Sequence, residues 1–119
     1  AQMLVNGGQL DGVRILGPRT VALYSMNMAP QTALPYSFNA TDTNHRGYGY
    51  SLGTRVLMDV AANGIAGSVG EFGWDGAHST YFWVDPNEAL YGLLMMQHNP
   101  NYPTLHQRFK QLTYQALLD

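Results

Sequence analysis

Apolar residues change their spacing several times along the chain, and each change marks a predicted element. Met3 to Val5 precede the pair Gly7-Gly8, and glycines readily adopt the left-handed conformation that ends helices. The first residues are therefore predicted to be the tail of a helix. Short apolar stretches within Leu10–Leu16 lie on either side of Asp11-Gly12, which predicts a small hairpin with a tight turn.

A second helix and a long loop are predicted next. Gly17-Pro18 marks the start of the helix because proline fits the first helical position, and the apolar side of this helix runs to Met28. The helix is expected to end near Met28. Positions 29–46 contain prolines, asparagines and no sustained period, which indicates a loop of functional length that forms a wall of a cleft.

The middle of the chain is predicted to form two strands. Residues 48–60 indicate one strand, interrupted at Gly49 and Gly53. Asn63-Gly64 is a dipeptide that hairpin turns favour where φ must be positive. A second strand, over 68–74, is expected to return beside the first.

The clearest hairpin joins residues 79–84 to 90–97 through the turn at 85–88, which contains a proline at a suitable position. Both strands are almost continuously apolar, which is typical of strands inside a sheet that is covered on both faces. Helices are expected to supply that cover.

The last predicted helix begins near Pro103 and has one apolar face. Its members recur at helical spacing: Leu105, Phe109, Leu112, Ala116 and Leu117. This face is expected to pack on the sheet. The predicted fold class is therefore α+β, with an antiparallel sheet flanked by helices that include a C-terminal helix.

The length and charge of the chain limit the classes of partner that it is expected to bind. A chain of 119 residues suits one domain, and its net charge of −2 provides no basic stripe for phosphates, so no nucleic-acid partner is expected. The longest apolar run, around Leu93–Met96, is far too short to span a membrane, so no membrane partner is expected. The chain has no cysteine, so it indicates neither a thiolate metal site nor a redox compartment.

The sequence patterns that usually mark a catalytic or metal site are absent or weak in this chain. No serine has a lysine three residues further on, and Lys110 is the only lysine, so a Ser-x-x-Lys pair is absent from the chain. Asp75, His78 and Ser79 are neighbours in sequence, whereas catalytic triads are assembled across a fold, so His78 is interpreted as a loop or pocket-lining residue. The four histidines show no metal-ligand spacing, and no metal or other cofactor is expected.

The glycine cluster Gly70, Gly73 and Gly76 leaves two interpretations open. Glycine at Gly76 allows a substrate to lie against the backbone, and the N–H of Ala77 just beyond it is suited to stabilising an oxyanion. The other interpretation is a β-bulge that binds no ligand.

Three motifs give the chain a resemblance to a known family. They are Asn6-Gly7-Gly8-x-Leu10-Asp11-Gly12-x-Arg14-Ile15-Leu16, Gly47-Tyr48-Gly49-Tyr50-Ser51-Leu52-Gly53, and Gly70-Glu71-Phe72-Gly73-Trp74-Asp75-Gly76-Ala77 with Thr80-Tyr81-Phe82-Trp83-Val84-Asp85-Pro86. Together they resemble the C-terminal portion of the β-lactamase-related serine hydrolases: class C β-lactamases, penicillin-binding DD-peptidases and family VIII carboxylesterases. The resemblance covers nearly the whole chain.

This resemblance implies roles for the residues around Gly76. Trp74-Asp75-Gly76 matches the Lys-Thr-Gly-type strand of the family, Ala77 follows as the implied oxyanion donor, and Trp74 and His78 are implied to line the pocket. Asp75 departs from the usual small residue. A carboxylate beside an oxyanion is unfavourable unless it points away from the substrate.

The resemblance also implies an incomplete domain. Residues 1–119 would be the C-terminal segment of a β-lactamase-like domain and would supply the last three strands of its five-stranded sheet. The Ser-x-x-Lys nucleophile would lie elsewhere, so the chain alone is expected to be inactive, whereas the complete protein would cleave a small ester or amide through an acyl-serine intermediate.

Two partners are implied for the strand at 90–97, which would be left as a bare apolar edge. The strand would pair with either an upstream N-terminal fragment or a second copy of the chain. The alternative function is a non-catalytic binding or assembly module that uses this open strand edge.

Overall fold

The computed structural model describes residues 1–34 and 45–117. Its α+β fold class confirms the sequence prediction. In chain order the elements are α1 (Gln2–Val5), β1 (Gln9–Leu10), β2 (Val13–Arg14), α2 (Pro18–Tyr24), a 3₁₀ turn (Gln31–Ala33), β3 (Tyr48–Tyr50), β4 (Arg55–Leu57), α3 (Val60–Asn63), β5 (Phe72–Asp75), β6 (Tyr81–Asp85), β7 (Leu90–Leu94) and α4 (Pro103–Gln115).

In the described residues the main sheet has five antiparallel strands in the order β3-β4-β5-β6-β7. The prediction of one interrupted strand over 48–60 is wrong, because the chain turns back between Ser51 and Thr54 and forms two short strands. The Ser51 N–H donates to the Thr54 carbonyl at 2.8 Å, and Gly53 takes a φ of 75° in the turn. The predicted hairpin around Asp11-Gly12 is confirmed as the pair β1 and β2.

The Asn63-Gly64 pair ends a helix instead of forming a hairpin turn. Asp59 caps the start of α3 by accepting a hydrogen bond from the Ala62 N–H at 2.9 Å, and Gly64 adopts the left-handed conformation after its last residue. Both roles have the same physical origin, since glycine tolerates positive φ in either setting. The second helix also ends earlier than predicted, at Tyr24 rather than near Met28.

Successive residues of β6 face opposite layers. Phe82 and Val84 lie on the side of α1 and α2, in a core that contains Val56 and Phe72. Trp83 lies on the side of α4 and meets the ring of Phe109 edge to face at 5.4 Å. The sheet is thus covered by helices on both faces.

The buried side of α4 differs from the predicted apolar face. His106 and Lys110 are 5% and 2% exposed, whereas Leu112 is 65% exposed. Leu117, just beyond the helix, is also exposed. His106 and Lys110 are buried in place of the predicted leucines because Ser79 and Glu71 supply their polar partners.

Strand β7 is at the edge of the sheet. The apolar pattern alone favoured an interior position, which is wrong for the part of the chain that the structure describes. Tyr91 and Leu93 are exposed on this strand, and Met95 follows it at 82% exposure. Of the predicted loop over 29–46, positions 35–44 lie outside the described residues.

Candidate functional site

A tight turn between β5 and β6 contains the predicted site. The Gly76 N–H donates to the Thr80 carbonyl at 2.9 Å, and the Ser79 N–H donates to the Gly76 carbonyl at 3.0 Å. A side chain at Gly76 would overlap the Thr80 hydroxyl. A larger residue would therefore require the Thr80 side chain to move.

The Ala77 N–H, unlike those of Gly76 and Ser79, donates no hydrogen bond within the turn. Within residues 1–34 and 45–117, no acceptor is placed for its N–H. The residue is exposed. An amide without an acceptor is available to a ligand oxygen.

An open cavity of about 530 Å³ lies beside the turn. This volume is in the range of small-molecule sites. Trp74, Asp75, Gly76 and Thr80, from the end of β5 and the turn after it, line the cavity, and its other lining residues are mainly apolar: Ala1, Leu4, Tyr81, Phe82, Leu93 and Met95. Ala77 and His78 are adjacent to this lining but outside it.

Three of the five predicted site residues are thus brought together at the cavity. Trp74 lies edge to face with Tyr50, with ring centroids 5.8 Å apart. His78 is an exposed residue of the turn, and its carbonyl accepts a hydrogen bond from the His98 N–H at 2.9 Å.

The Asp75 carboxylate is fully engaged by polar partners. Arg55 Nη1 donates to one oxygen, and Asn101 Nδ2 donates to the other at 3.0 Å. Burial acts to raise the pKa of Asp75, but the Arg55 charge and the two hydrogen bonds outweigh it and hold the pKa below its ordinary value.

Arg55 is a site residue that sequence reasoning missed. It is 6% exposed, and its guanidinium lies 5.7, 5.9 and 5.4 Å from the ring centroids of Tyr48, Trp74 and Tyr81. Burial would lower its pKa, but nearby Tyr81 and Asp75 favour the charged form and raise it. A charged residue directly before the apolar pair Val56-Leu57 was the signal that could have found it, because an arginine in a buried strand requires a partner.

A second buried polar cluster, also missed, joins α4 to the sheet; we call it the Glu71 cluster. Its members are Tyr48, Glu71, Asp85, Lys110 and Tyr114. Lys110 Nζ donates to Glu71 Oε1 and, at 3.1 Å, to the Tyr48 hydroxyl. The Tyr114 hydroxyl donates to Asp85 at 2.6 Å and lies 2.9 Å from Glu71 Oε2.

The Glu71 cluster explains why a lysine is buried in α4. Burial lowers the pKa of Lys110, and the Glu71 carboxylate opposes this effect. None of the five members lines the cavity. The cluster therefore attaches the helix to the sheet and takes no direct part in the site.

The Ser79 hydroxyl is not arranged as a nucleophile. It donates to the His98 carbonyl at 3.1 Å and accepts from the Tyr102 N–H at 2.9 Å. Asp75 pairs with Arg55, so a triad of Asp75, His78 and Ser79 is not formed.

Within positions 1–34 and 45–117, no group of three or more His, Cys, Asp or Glu side chains is placed to hold a metal ion. The helices that the structure describes are all too short or too polar to cross a membrane.

The known proteins that match this chain in sequence are much longer than the chain. No family model matches it. It is 34% identical over 104 residues to Protein Rv1367c of Mycobacterium tuberculosis strain H37Rv, and equally to the uncharacterized protein MT1414 of strain CDC 1551. These matches cover 84% of this chain but only 25% of each relative.

Three solved structures share its fold. They are EstCE1, described as a hydrolase with promiscuous acyltransferase activity (TM-score 0.74, 20% identity, 95% of this chain and 27% of that one), and two structures of simvastatin synthase, LovD, from Aspergillus terreus: the LovD6 mutant (0.71, 19%, 95% and 31%) and the unliganded selenomethionyl protein (0.73, 17%, 98% and 32%). At these identities the likeness shows the fold alone. The chain thus has the β-lactamase-like fold that its motifs imply.

Proposed function

We propose that this chain is the C-terminal segment of a β-lactamase-related serine hydrolase that acts on an ester or amide through an acyl-serine intermediate. Trp74-Asp75-Gly76 takes the place of the family's Lys-Thr-Gly strand, and the Ala77 N–H is an oxyanion donor. The nucleophile and its base come from polypeptide outside this chain. The curated relatives are about four times as long as the matched segment, which leaves room for those residues.

One observation carries the proposal. The Ala77 amide lacks an acceptor in the described part of the chain and follows a glycine that lines a cavity of about 530 Å³. A backbone N–H aimed at a substrate carbonyl stabilises the negative charge that develops on its oxygen when a serine attacks. Serine attack forms a tetrahedral intermediate. Its collapse breaks the C–O or C–N bond, the leaving group takes a proton, and water later hydrolyses the acyl-serine.

The test compares two polypeptides, the longer protein that carries this segment and the 119-residue chain alone, with p-nitrophenyl butyrate as substrate. The longer protein is expected to turn over and the isolated chain is not. In the longer protein, Ala77→Pro removes the N–H and is expected to lower kcat about 100-fold or more, the usual effect of losing one oxyanion donor.

Ala77→Ser keeps the N–H and is expected to lose far less activity, which separates loss of the donor from a change in the turn. Thermal unfolding of each variant checks the fold. Serine-dependent turnover by the isolated chain, or a wild-type kcat in a folded Ala77→Pro variant, would contradict the proposal.

The second candidate is a non-catalytic binding or assembly module. The exposed edge of β7, with Tyr91 and Leu93 outward, favours it. Purification followed by intact-mass and oligomer measurement discriminates the two. A stable homo-oligomer without a second polypeptide supports the module, and a co-purifying upstream polypeptide supports the hydrolase.

A further inference from the structure

We propose that Arg55 and Asn101 are positioning residues that hold the Asp75 carboxylate away from the oxyanion site beside Ala77. This inference rests on the proposed hydrolase function and deepens it. It accounts for an acidic residue at a position where the family pattern has a small one.

Strand geometry points the Asp75 carboxylate toward α4 and Arg55, although Asp75 is also one of the residues that line the cavity. Side chains alternate along β5, and Phe72 lies in the core on the side of α1 and α2. Asp75, three positions further along the strand, therefore points to the other side, toward α4. Arg55 pairs in register with Gly73, so its side chain lies on the same side as Asp75.

The two donors occupy both carboxylate oxygens. Arg55 takes one from the neighbouring strand, and Asn101 takes the other from the segment before α4. The Asp75 side chain is 17% exposed, so water does little to screen it. Arg55 and Asn101 together fix the orientation of the Asp75 carboxylate, and Arg55 balances its negative charge.

The electrostatic reason is the charge that forms during acyl transfer. A free carboxylate next to Ala77 would repel the developing oxyanion, and this repulsion is strong where little water is present. The ion pair of the Asp75 carboxylate and the Arg55 guanidinium carries no net charge as a whole. Other polar groups around the pair are His45, Tyr48, Tyr81 and His106, of which His45, Tyr48 and Tyr81 lie against Arg55.

The test uses the longer protein with p-nitrophenyl butyrate. Arg55→Met frees the carboxylate and is expected to lower kcat roughly 10- to 100-fold while KM changes less than about 3-fold, because the lost interaction acts on the transition state. Asn101→Ala is expected to act in the same direction with a smaller effect. Adding Asp75→Asn to Arg55→Met removes the repelling charge and is expected to recover most of the lost kcat.

Arg108→Met is the matched control, because Arg108 is an exposed arginine of α4 outside the site. It is expected to leave kcat and KM unchanged. Arg55→Lys keeps a positive charge and is expected to retain more activity than Arg55→Met, which a purely structural role in filling space would not require.

The outcomes separate this inference from the function on which it rests. Wild-type protein without turnover would overturn both. Active wild type with an unchanged kcat in Arg55→Met, or with no recovery in the folded double variant, would overturn the positioning role alone. The double variant lacks the unpaired buried charge, so it keeps the comparison valid even if Arg55→Met folds poorly.

Discussion

Arg55 on β4 and Asp75 on β5 form an ion pair across two neighbouring strands, with the Arg55 side chain 7% exposed and the Asp75 side chain 17% exposed. Asp75 is the only carboxylate that lines the cavity in the described part of the chain. The pair therefore neutralises the one formal negative charge beside the candidate site. It also ties the short β3–β4 hairpin to β5, which ends at Asp75.

The ion pair predicts a specific loss of stability in acid. Because the pKa of Asp75 is lowered in the folded protein, its stabilisation is present above the unfolded value and is lost as pH falls through the folded value. Asp75→Asn is expected to flatten the decline in unfolding free energy below about pH 4, where an ordinary aspartate titrates. Urea unfolding from pH 6 to pH 3 measures it, and Glu88→Gln controls for the loss of one negative charge. An unchanged slope would contradict the prediction.

Lys110 is expected to be among the costliest positions in α4. Lys110→Met leaves the Glu71 carboxylate buried without its cation, and breaking such a pair costs about 3–5 kcal/mol. Arg108→Met, on the exposed side of the same helix, is expected to change stability by less than about 0.5 kcal/mol. Equilibrium denaturation compares the two. Equal effects would mean that the Glu71 cluster does not hold the helix.

Gly92 is expected to tolerate no side chain. Trp83 lies across it, and a Cβ at Gly92 would overlap the indole ring. Gly92→Ala is expected to cost about 1–3 kcal/mol through overpacking. Gly17→Ser adds atoms before α2 where the neighbouring side chain is 3.8 Å away, and serine at this capping position should be neutral or stabilising. Thermal unfolding of both variants tests the contrast, which a stable Gly92→Ala would refute.

The β7 edge predicts self-association through an exposed strand. Leu93→Lys places a charge on this edge and is expected to lower association, since charged side chains oppose strand pairing. Leu112→Lys changes an exposed leucine on α4 and serves as the matched control. Sedimentation velocity over a concentration series reports the result. If both variants associate like the wild type, the edge is not the contact surface.

Local sequence signals predicted the elements that local interactions form. The Asp11-Gly12 hairpin, the hairpin around Pro86 and the helix that begins at Pro103 all follow from turn chemistry and period. Asn63-Gly64 was misassigned because positive φ serves a hairpin and a helix end equally well. The strand over 48–60 was misassigned because two short strands with a turn have nearly the same composition as one interrupted strand.

The amino-acid pattern by itself determined the α+β class, the position of the glycine turn and the candidate residues from Trp74 to His78. Only the tertiary structure decided which side of each element is buried. Lys110 and His106, and not Leu112, are on the buried side of α4 because their partners, Glu71 and the Ser79 carbonyl, come from segments next to β5 and β6 that are distant in sequence. Arg55 is 20 residues from Asp75 in the chain, so no local pattern could show that the carboxylate is paired. Hydrophobic period reports local preference, whereas the pairing of buried charges depends on which strands become neighbours.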